Sequence, residues 1–406
     1  MSSFSIALSG LTAASSDLDV TANNIANADT VGFKSSRVEF ADVYASGGAT
    51  VSSTAIGEGV RVASTSQQFT QGNVTTTGGN LDLAISGNGF FTLKNPSGYA
   101  YTRNGAFTED NQGNVVTATG QFLQVYPPLA TGGFNTGALS NLNLQTSDSA
   151  PQATTSGTAI LNLPANATPP TVAPFNAANS QTYNQSTATT VYDSLGNGYP
   201  ATMFFANTGV NAWNVYMTVG GQTLGPQALT FNTAGAVATP VGGALAFTPF
   251  NPPSGATQGG TLTFNFGQST QYGNQFGVAS ITQNGYATGQ LSTVSIDPTG
   301  VVSAVYTNGR STQLGQIAMA NFPNPQGLSE LGNTNWSSTF QSGVAVQGTA
   351  GSAGFGNIQS GALESSNVDL TTQLVNMITA QRAFDSNAQV ITVSNQLSQT
   401  VINATH

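Results

Sequence analysis

The side chains best suited to catalysis are few in this sequence and badly placed for it. The single histidine is the terminal His406 and there is no cysteine. That removes His-activated nucleophiles, thiolate chemistry and the Cys/His sets that hold zinc. Asp17, Asp19 and Asp29 form a local acidic group, but their setting predicts a solvated helix face and a turn, without the burial that tunes catalytic carboxylates. Gly87-Asn88-Gly89 is followed by neither a G-K-[ST] nor a G-x-G-x-x-G pattern, so it reads as a turn and not a phosphate loop. Ser352, within Gly351-Ser-Ala-Gly354, lacks a G-x-S-x-G frame and an internal histidine. Trp213 and Tyr272 are suited to stacking on sugar, yet Asp148 and Asp193 are the only carboxylates between residues 146 and 286. A polysaccharide-cleaving enzyme therefore fits poorly. The expectation is no catalytic residue, no cofactor and no metal.

Charge excludes further classes. Only 6% of the 406 residues are charged, against about 25% in ordinary soluble proteins. No Lys or Arg occurs between Arg103 and Arg310, and the net charge is −9. Nucleic acid, which needs a cationic stripe to release counterions, is excluded as a partner. No apolar run reaches the ~18 residues of a membrane span, so membrane insertion is not expected. The N-terminus has neither the basic start nor the unbroken apolar segment of a secretory signal peptide, which predicts that any export uses another route.

The elements able to position anything are of two kinds. Phe4, Leu8, Leu11, Ser15, Leu18, Ala22 and Ile25 recur at alternating gaps of four and three, the a/d seam of an amphipathic helix over residues 3–27. Ser2 or Ser3 is its expected cap, and Asn27, Asp29 and Gly32 crowd its end. Leu370, Leu374, Met377, Gln381, Phe384, Ala388 and Ile391 repeat that spacing, continued by Leu397 on a drifting stripe. Ser366 and Asp369 form an S-x-x-D capping signal ahead of them. Residues 60–350 instead show short Val, Ile, Thr, Phe and Tyr runs between Gly, Asn and Pro, as expected of antiparallel strands. Examples are Leu81–Ile85, Phe90–Leu93, Phe122–Tyr126 and Leu314–Ala320.

The predicted fold is mainly β with α-helical termini. Residues 1–27 and 367–406 form a coiled-coil-like inner domain, and 28–70 and 358–366 are extended linkers. One antiparallel β domain, at 71–145 and 287–357, is entered twice. A second, at 146–286, is inserted into it, fed by a Pro-, Ala-, Thr- and Asn-rich stretch from 127 to about 190. Phe107-Thr-Glu-Asp110-Asn-Gln-Gly113 and Val294-Ser-Ile-Asp297-Pro-Thr-Gly300 resemble each other and suggest equivalent hairpins. Lys34 and Arg37, beside Phe33 and Phe40, are expected either on an exposed face or against another subunit.

Closing a helix pair across roughly 340 residues is entropically unfavourable, and the seams carry polar members. The termini are therefore expected to be largely disordered in one copy and helical once copies pack. Head-to-tail contacts between unlike surfaces generate rings or open tubes. The expected assembly interface is Phe4, Leu8, Leu11, Leu18, Ala22, Ile25, Leu370, Leu374, Met377, Phe384, Ala388, Ile391 and Leu397.

Three blocks then carry a specific likeness. Ser9-Gly-Leu-Thr-Ala-Ala14, Leu18-Asp-Val20, Asn23-Asn-Ile-Ala-Asn27 and Thr30-Val-Gly-Phe-Lys34 resemble the N-terminal signature of flagellar rod and hook axial proteins. Leu81-Asp-Leu-Ala-Ile-Ser86, Gly89-Phe-Phe91 and Tyr101-Thr-Arg-Asn-Gly105 are similar to that family's following β segment. Gly361-Ala-Leu-Glu-Ser-Ser-Asn-Val-Asp369 and Leu374-Val-Asn-Met-Ile-Thr-Ala-Gln-Arg-Ala-Phe384 resemble its C-terminal signature. The resemblance covers roughly residues 1–126 and 287–403. It implies export through the flagellar type III channel and assembly under a cap into a helical tube. Terminal helices would line the channel and the insert would lie outermost. Rod, hook–filament junction and hook cap proteins are the implied partners, and the implied location is the extracellular flagellum. Length and the β insert point, within the family, to the subunit of the hook, a curved universal joint that passes torque from rod to filament. A distal rod protein is the alternative, and a secreted β-rich adhesin is another. The adhesin reading accounts for the Thr, Asn and Gly richness but not for the paired heptad termini.

Overall fold

A computed structural model describes residues 3–43, 57–145, 147–257 and 260–404. Ser2 and His406 lie outside them. The chain divides into two compact units. One comprises Met1–Thr146, Val294–Ala304 and Thr312–His406, and the other Ser147–Thr293 and Val305–Ser311. The insert expected at 146–286 compares with 147–293 here.

In the first unit, α1 (Ser3–Ala26) and α2 (Leu370–Ala404) bracket a β body. With 24 and 35 residues they span about 36 and 52 Å at ~1.5 Å per residue. Asp369 caps α2, its Oδ1 accepting the Thr372 N–H at 2.6 Å. Ser366, the other half of the expected capping signal, instead accepts the Val368 N–H through its hydroxyl. The stretch read as a linker after α1 holds an antiparallel hairpin, Ser36–Asp42 on Val60–Gln67. The short strands preceding α2 return to those following this hairpin: Ala362–Glu364 pairs with Val74–Thr76, and Asn357–Ser360 with Leu83–Ser86.

Within the body, Ser311–Asn321 pairs with strands of the first pass along one edge and with Val346–Thr349 of the second pass along the other. Ile317 is opposite Val125 and Met319 opposite Phe91, while Trp336 pairs with Tyr101. Alternate residues point inward, so Phe91, Leu93, Leu123, Val125, Ile317 and Met319 are all buried. A second cluster packs edge to face, with Phe69, Phe90 and Trp336 mutually 5.6–5.7 Å apart between ring centroids, the geometry that the ring quadrupoles favour.

The second unit has one five-stranded antiparallel meander, running from Gln185–Tyr192 to Val237–Thr239. Its Ala212–Val219 strand buries Trp213, Val215, Met217 and Val219 and turns the intervening residues outward. The second sheet is built on Ser156–Pro164, which lies inside the stretch read as a linker. Ala159, Leu161 and Leu163 alternate into the core, a period-2 pattern masked by neighbouring Pro and Thr. This strand pairs in parallel with Leu262–Asn265 and Thr270–Tyr272, a departure from the wholly antiparallel arrangement expected.

The likeness of the segments around Asp110 and Asp297 is a property of the turn. Asp110 Oδ1 accepts the N–H groups of Gln112 and Asn114, and Asp297 Oδ1 those of Thr299 and Val301. Gly113 and Gly300 follow at φ +78° and +80°, where an L side chain is strained. Asp193 and Asn232 in the other unit build the same hairpin, so one local device serves all four.

Candidate assembly surface

The two helices pack on each other in a single copy. Gly10 is so close to α2 that a Cβ there would stand 2.6 Å from Asn387 Oδ1. At the other end, Asn24 Nδ2 donates to Gln373 Oε1 at 3.4 Å. Both pairs give one antiparallel register, which sets the start of α1 opposite residue 394. Residues 395–404 of α2 therefore project past α1. The expectation of disordered tails in an isolated copy is corrected by this pairing. Loop closure grows only logarithmically with length, and the strand pairs 74–76 with 362–364 and 83–86 with 357–360 already hold the helix ends together.

The face that α1 presents to α2 is not the seam read from its large apolar residues. It is the row one residue earlier: Ala7, Gly10, Ala14, Asp17, Thr21 and Asn24. Ala7, Ala14, Thr21 and Asn24 are buried. Small side chains let the helix axes approach closely, and Asn24 uses its amide twice more, donating to the Ser36 carbonyl and accepting the Ser36 N–H. On α2, Ala380 is buried, while Gln373, Met377, Phe384, Asn387, Ile391 and Ser394 are half-buried at the same 4-3 spacing.

None of the thirteen residues expected at the assembly interface is buried in the single chain. Phe4 is 39% exposed, Leu8 46%, Leu370 47%, Leu374 51% and Leu397 62%. Ala22 is also exposed. Leu11, Leu18, Ile25, Met377, Phe384, Ala388 and Ile391 are intermediate. Val390, Val393, Val401 and Ile402 add exposed apolar surface along α2. Hydrophobic spacing alone hid this division, because it registers large apolar residues and passes over Ala and Gly.

Electrostatics at this surface is sparse. Asp19 and Asp29 are exposed, as expected, but Asp17 lies in the helix-facing row, and burial pushes its carboxyl above the usual range. Asp369 shifts the other way, lowered by the backbone amide and side chain of Thr372. Lys34 is corrected in full: its side chain is wholly buried against Glu364 at 2.5 Å, since dehydrating an ammonium requires a paired carboxylate. It is closed to any neighbouring subunit. Arg37 is exposed and pairs with Glu39. Trp213 is a core residue, 1% exposed, and is withdrawn from any sugar-stacking role.

Comparison with known proteins adds the family. Four family models match: a flagella basal body rod protein model at residues 4–34, a flagellar hook protein FlgE/F/G D1 domain at 84–173, a flagellar basal body protein FlaE D2 domain at 162–286, and a flagellar basal body rod FlgEFG protein C-terminal model at 359–404. The flagellar hook protein FlgE of Escherichia coli is 41% identical over 98% of this chain and 99% of its own length. The chain belongs to the flagellar hook protein family. FlgE of Salmonella typhimurium is 39% identical over 99% of both chains, and FlgE of Borreliella burgdorferi 34% over 97% of both. The crystal structure of Helicobacter pylori flagellar hook protein FlgE2 shares the fold, at a TM-score of 0.51 and 14% identity, over 72% of this chain and all of that one. Hook-family membership accords with the mainly β architecture between terminal helices.

Proposed function

We propose that the chain is a non-catalytic structural subunit that polymerises into the curved, flexible tube of the bacterial flagellar hook, through the exposed seams of α1 and α2. One observation carries this reading: the helix pair buries Ala7, Ala14, Thr21, Asn24 and Ala380, half-buries Met377, Phe384 and Ile391, and leaves Phe4, Leu8, Leu374 and Leu397 exposed. A monomer gains nothing from that arrangement, since apolar area left in water forgoes about 25 cal/mol per Å². A second copy gains all of it. The seams on α1 and α2 differ in sequence, and head-to-tail joining of one to the other is the heterologous mode that generates a ring or an open helical tube. In this register residues 395–404 of α2 extend beyond the end of α1.

The same reading makes the subunit a carrier of torque between rod and filament. It places the subunit in the extracellular hook, after type III export and under a hook cap. Rod and junction proteins bound the tube at its two ends. Residues of the α1 and α2 surfaces such as Asn23, Thr372, Asn376 and Gln381 are exposed, and uncharged groups of this kind offer passing export substrates few electrostatic anchors. Electron microscopy of the purified chain induced to polymerise tests the proposal. Short curved tubes with a central channel are expected, and a chain lacking residues 370–404 is expected to form none. Native tubes from the truncated chain would overturn it.

A further inference from the structure

Two of the seven basic residues of this chain are spent on one buried glutamate. Glu364 Oε1 accepts Lys34 Nζ at 2.5 Å and the Gly72 N–H at 2.9 Å, and its Oε2 accepts Arg103 Nη1 at 3.1 Å. Lys34 Nζ also donates to the Thr70 carbonyl, and Arg103 Nη2 to the Gly87 carbonyl. The Arg103 guanidinium sits 5.4 Å from the centre of the Phe90 ring. The Lys34 and Glu364 side chains have no exposure and that of Arg103 has 6%.

These groups lie at the junction of helices and β body. Lys34 stands eight residues after the end of α1, Glu364 six residues before the start of α2, and Arg103 on the loop after a strand of the body. Backbone and amide bonds tighten the same crossing: the Gly32 N–H donates to the Glu364 carbonyl, Ser35 N–H to Asn367 Oδ1, and Asn367 Nδ2 to the Gln68 carbonyl. Buried ion clusters seldom stabilise better than apolar residues of equal volume; in some proteins their directional bonds select one arrangement over close competitors.

We propose that Lys34, Glu364 and Arg103 form an orientation lock, which fixes the direction in which the α1–α2 pair leaves the β body and so sets how one copy presents its helices to the next. The last step rests on the polymerisation reading above; the lock itself acts within a single copy.

The absence of cysteine makes the test direct. Cysteines introduced at exposed Asn376 on α2 and exposed Thr108 on the body carry spin labels, and the distance distribution is measured by pulsed electron resonance on soluble single copies. The triple variant Lys34→Met, Glu364→Met, Arg103→Met is expected to keep its near-UV circular dichroism and unfolding midpoint. Its distance distribution is expected to widen at least twofold, and its tube yield to fall at least tenfold. Arg103→Lys serves as a second variant, keeping the charge while losing the fork that bridges Glu364 and Gly87; it is expected to widen the distribution to a lesser degree. A distribution as narrow as that of the unmodified chain, in either folded variant, overturns the lock. Failure of the unmodified chain to form tubes counts against the polymerisation reading alone.

Discussion

The meander of the second unit and the α1–α2 pair dispose of their large side chains in opposite ways. On Ala212–Val219 every second residue, from Trp213 to Val219, is buried and its neighbours face out. On α1 the large residues Phe4 and Leu8 face out, while Ala7, Ala14 and Thr21 are buried. Apolar side chains leave water wherever a partner surface exists. The sheet finds that partner within its own unit, whereas the helices have only part of it within the chain, and on the proposed reading the remainder meets another copy. Under the proposed function, the difference separates what makes a copy stable from what makes it join others.

The largest effect expected from breaking this division lies on the sheet side. Trp213→Ala should destabilise the second unit by about 3–5 kcal/mol, the usual range for emptying a buried aromatic site. Chemical denaturation followed by tryptophan-independent near-UV signals and far-UV circular dichroism should show the β signal lost early and the helical signal retained. Next comes the helix pair. Gly10→Leu places a side chain where Asn387 stands at 2.6 Å from an added Cβ, and overpacking of this kind costs about 1–3 kcal/mol. Hydrogen exchange should show faster opening of α1 and α2 with the β body unaffected.

The smallest effect sharpens the comparison. Ionised Asp17 opposes burial in the helix-facing row, and its folded pKa is raised above 3.8. A folded state that holds its proton more tightly than the unfolded one gains stability as the pH falls toward the folded pKa, and loses that gain as the pH rises through it. Helix-pair stability should therefore improve slightly on acidification from neutrality, and Asp17→Asn should remove that component. Comparing the variant with the parent at each pH isolates it from Asp369, whose lowered pKa acts with the opposite sign below its unfolded value.

The sequence made legible those features that local chemistry controls. Asn27 and Gly32 mark where α1 stops, Asp369 caps α2, and Phe122–Tyr126 was read at its observed bounds. The 156–164 strand escaped notice because Pro and Thr on either side masked a three-residue alternation. The hairpin after α1 escaped because Val38 and Phe40 on one strand, and Val60 and Val62 on the other, are alternations of only two large apolar residues among Arg, Glu, Ser and Thr. The helix-facing row was hidden for a different reason: Ala and Gly carry little hydrophobic signal, yet they decide how closely two helices approach. Lys34 could not be placed from sequence, since its partner is 330 residues away.

The central claim is that the outward seam serves association and not the fold. The most direct test replaces Leu8, Leu374 and Leu397 together by Ser and measures, on one preparation, the unfolding free energy of the single copy and the mass sedimenting as polymer. The expected result is a stability change within about 0.5 kcal/mol per site, as for exposed positions, with sedimenting polymer lost. A variant that polymerises normally, or one whose single copies unfold before any polymer could form, would contradict it.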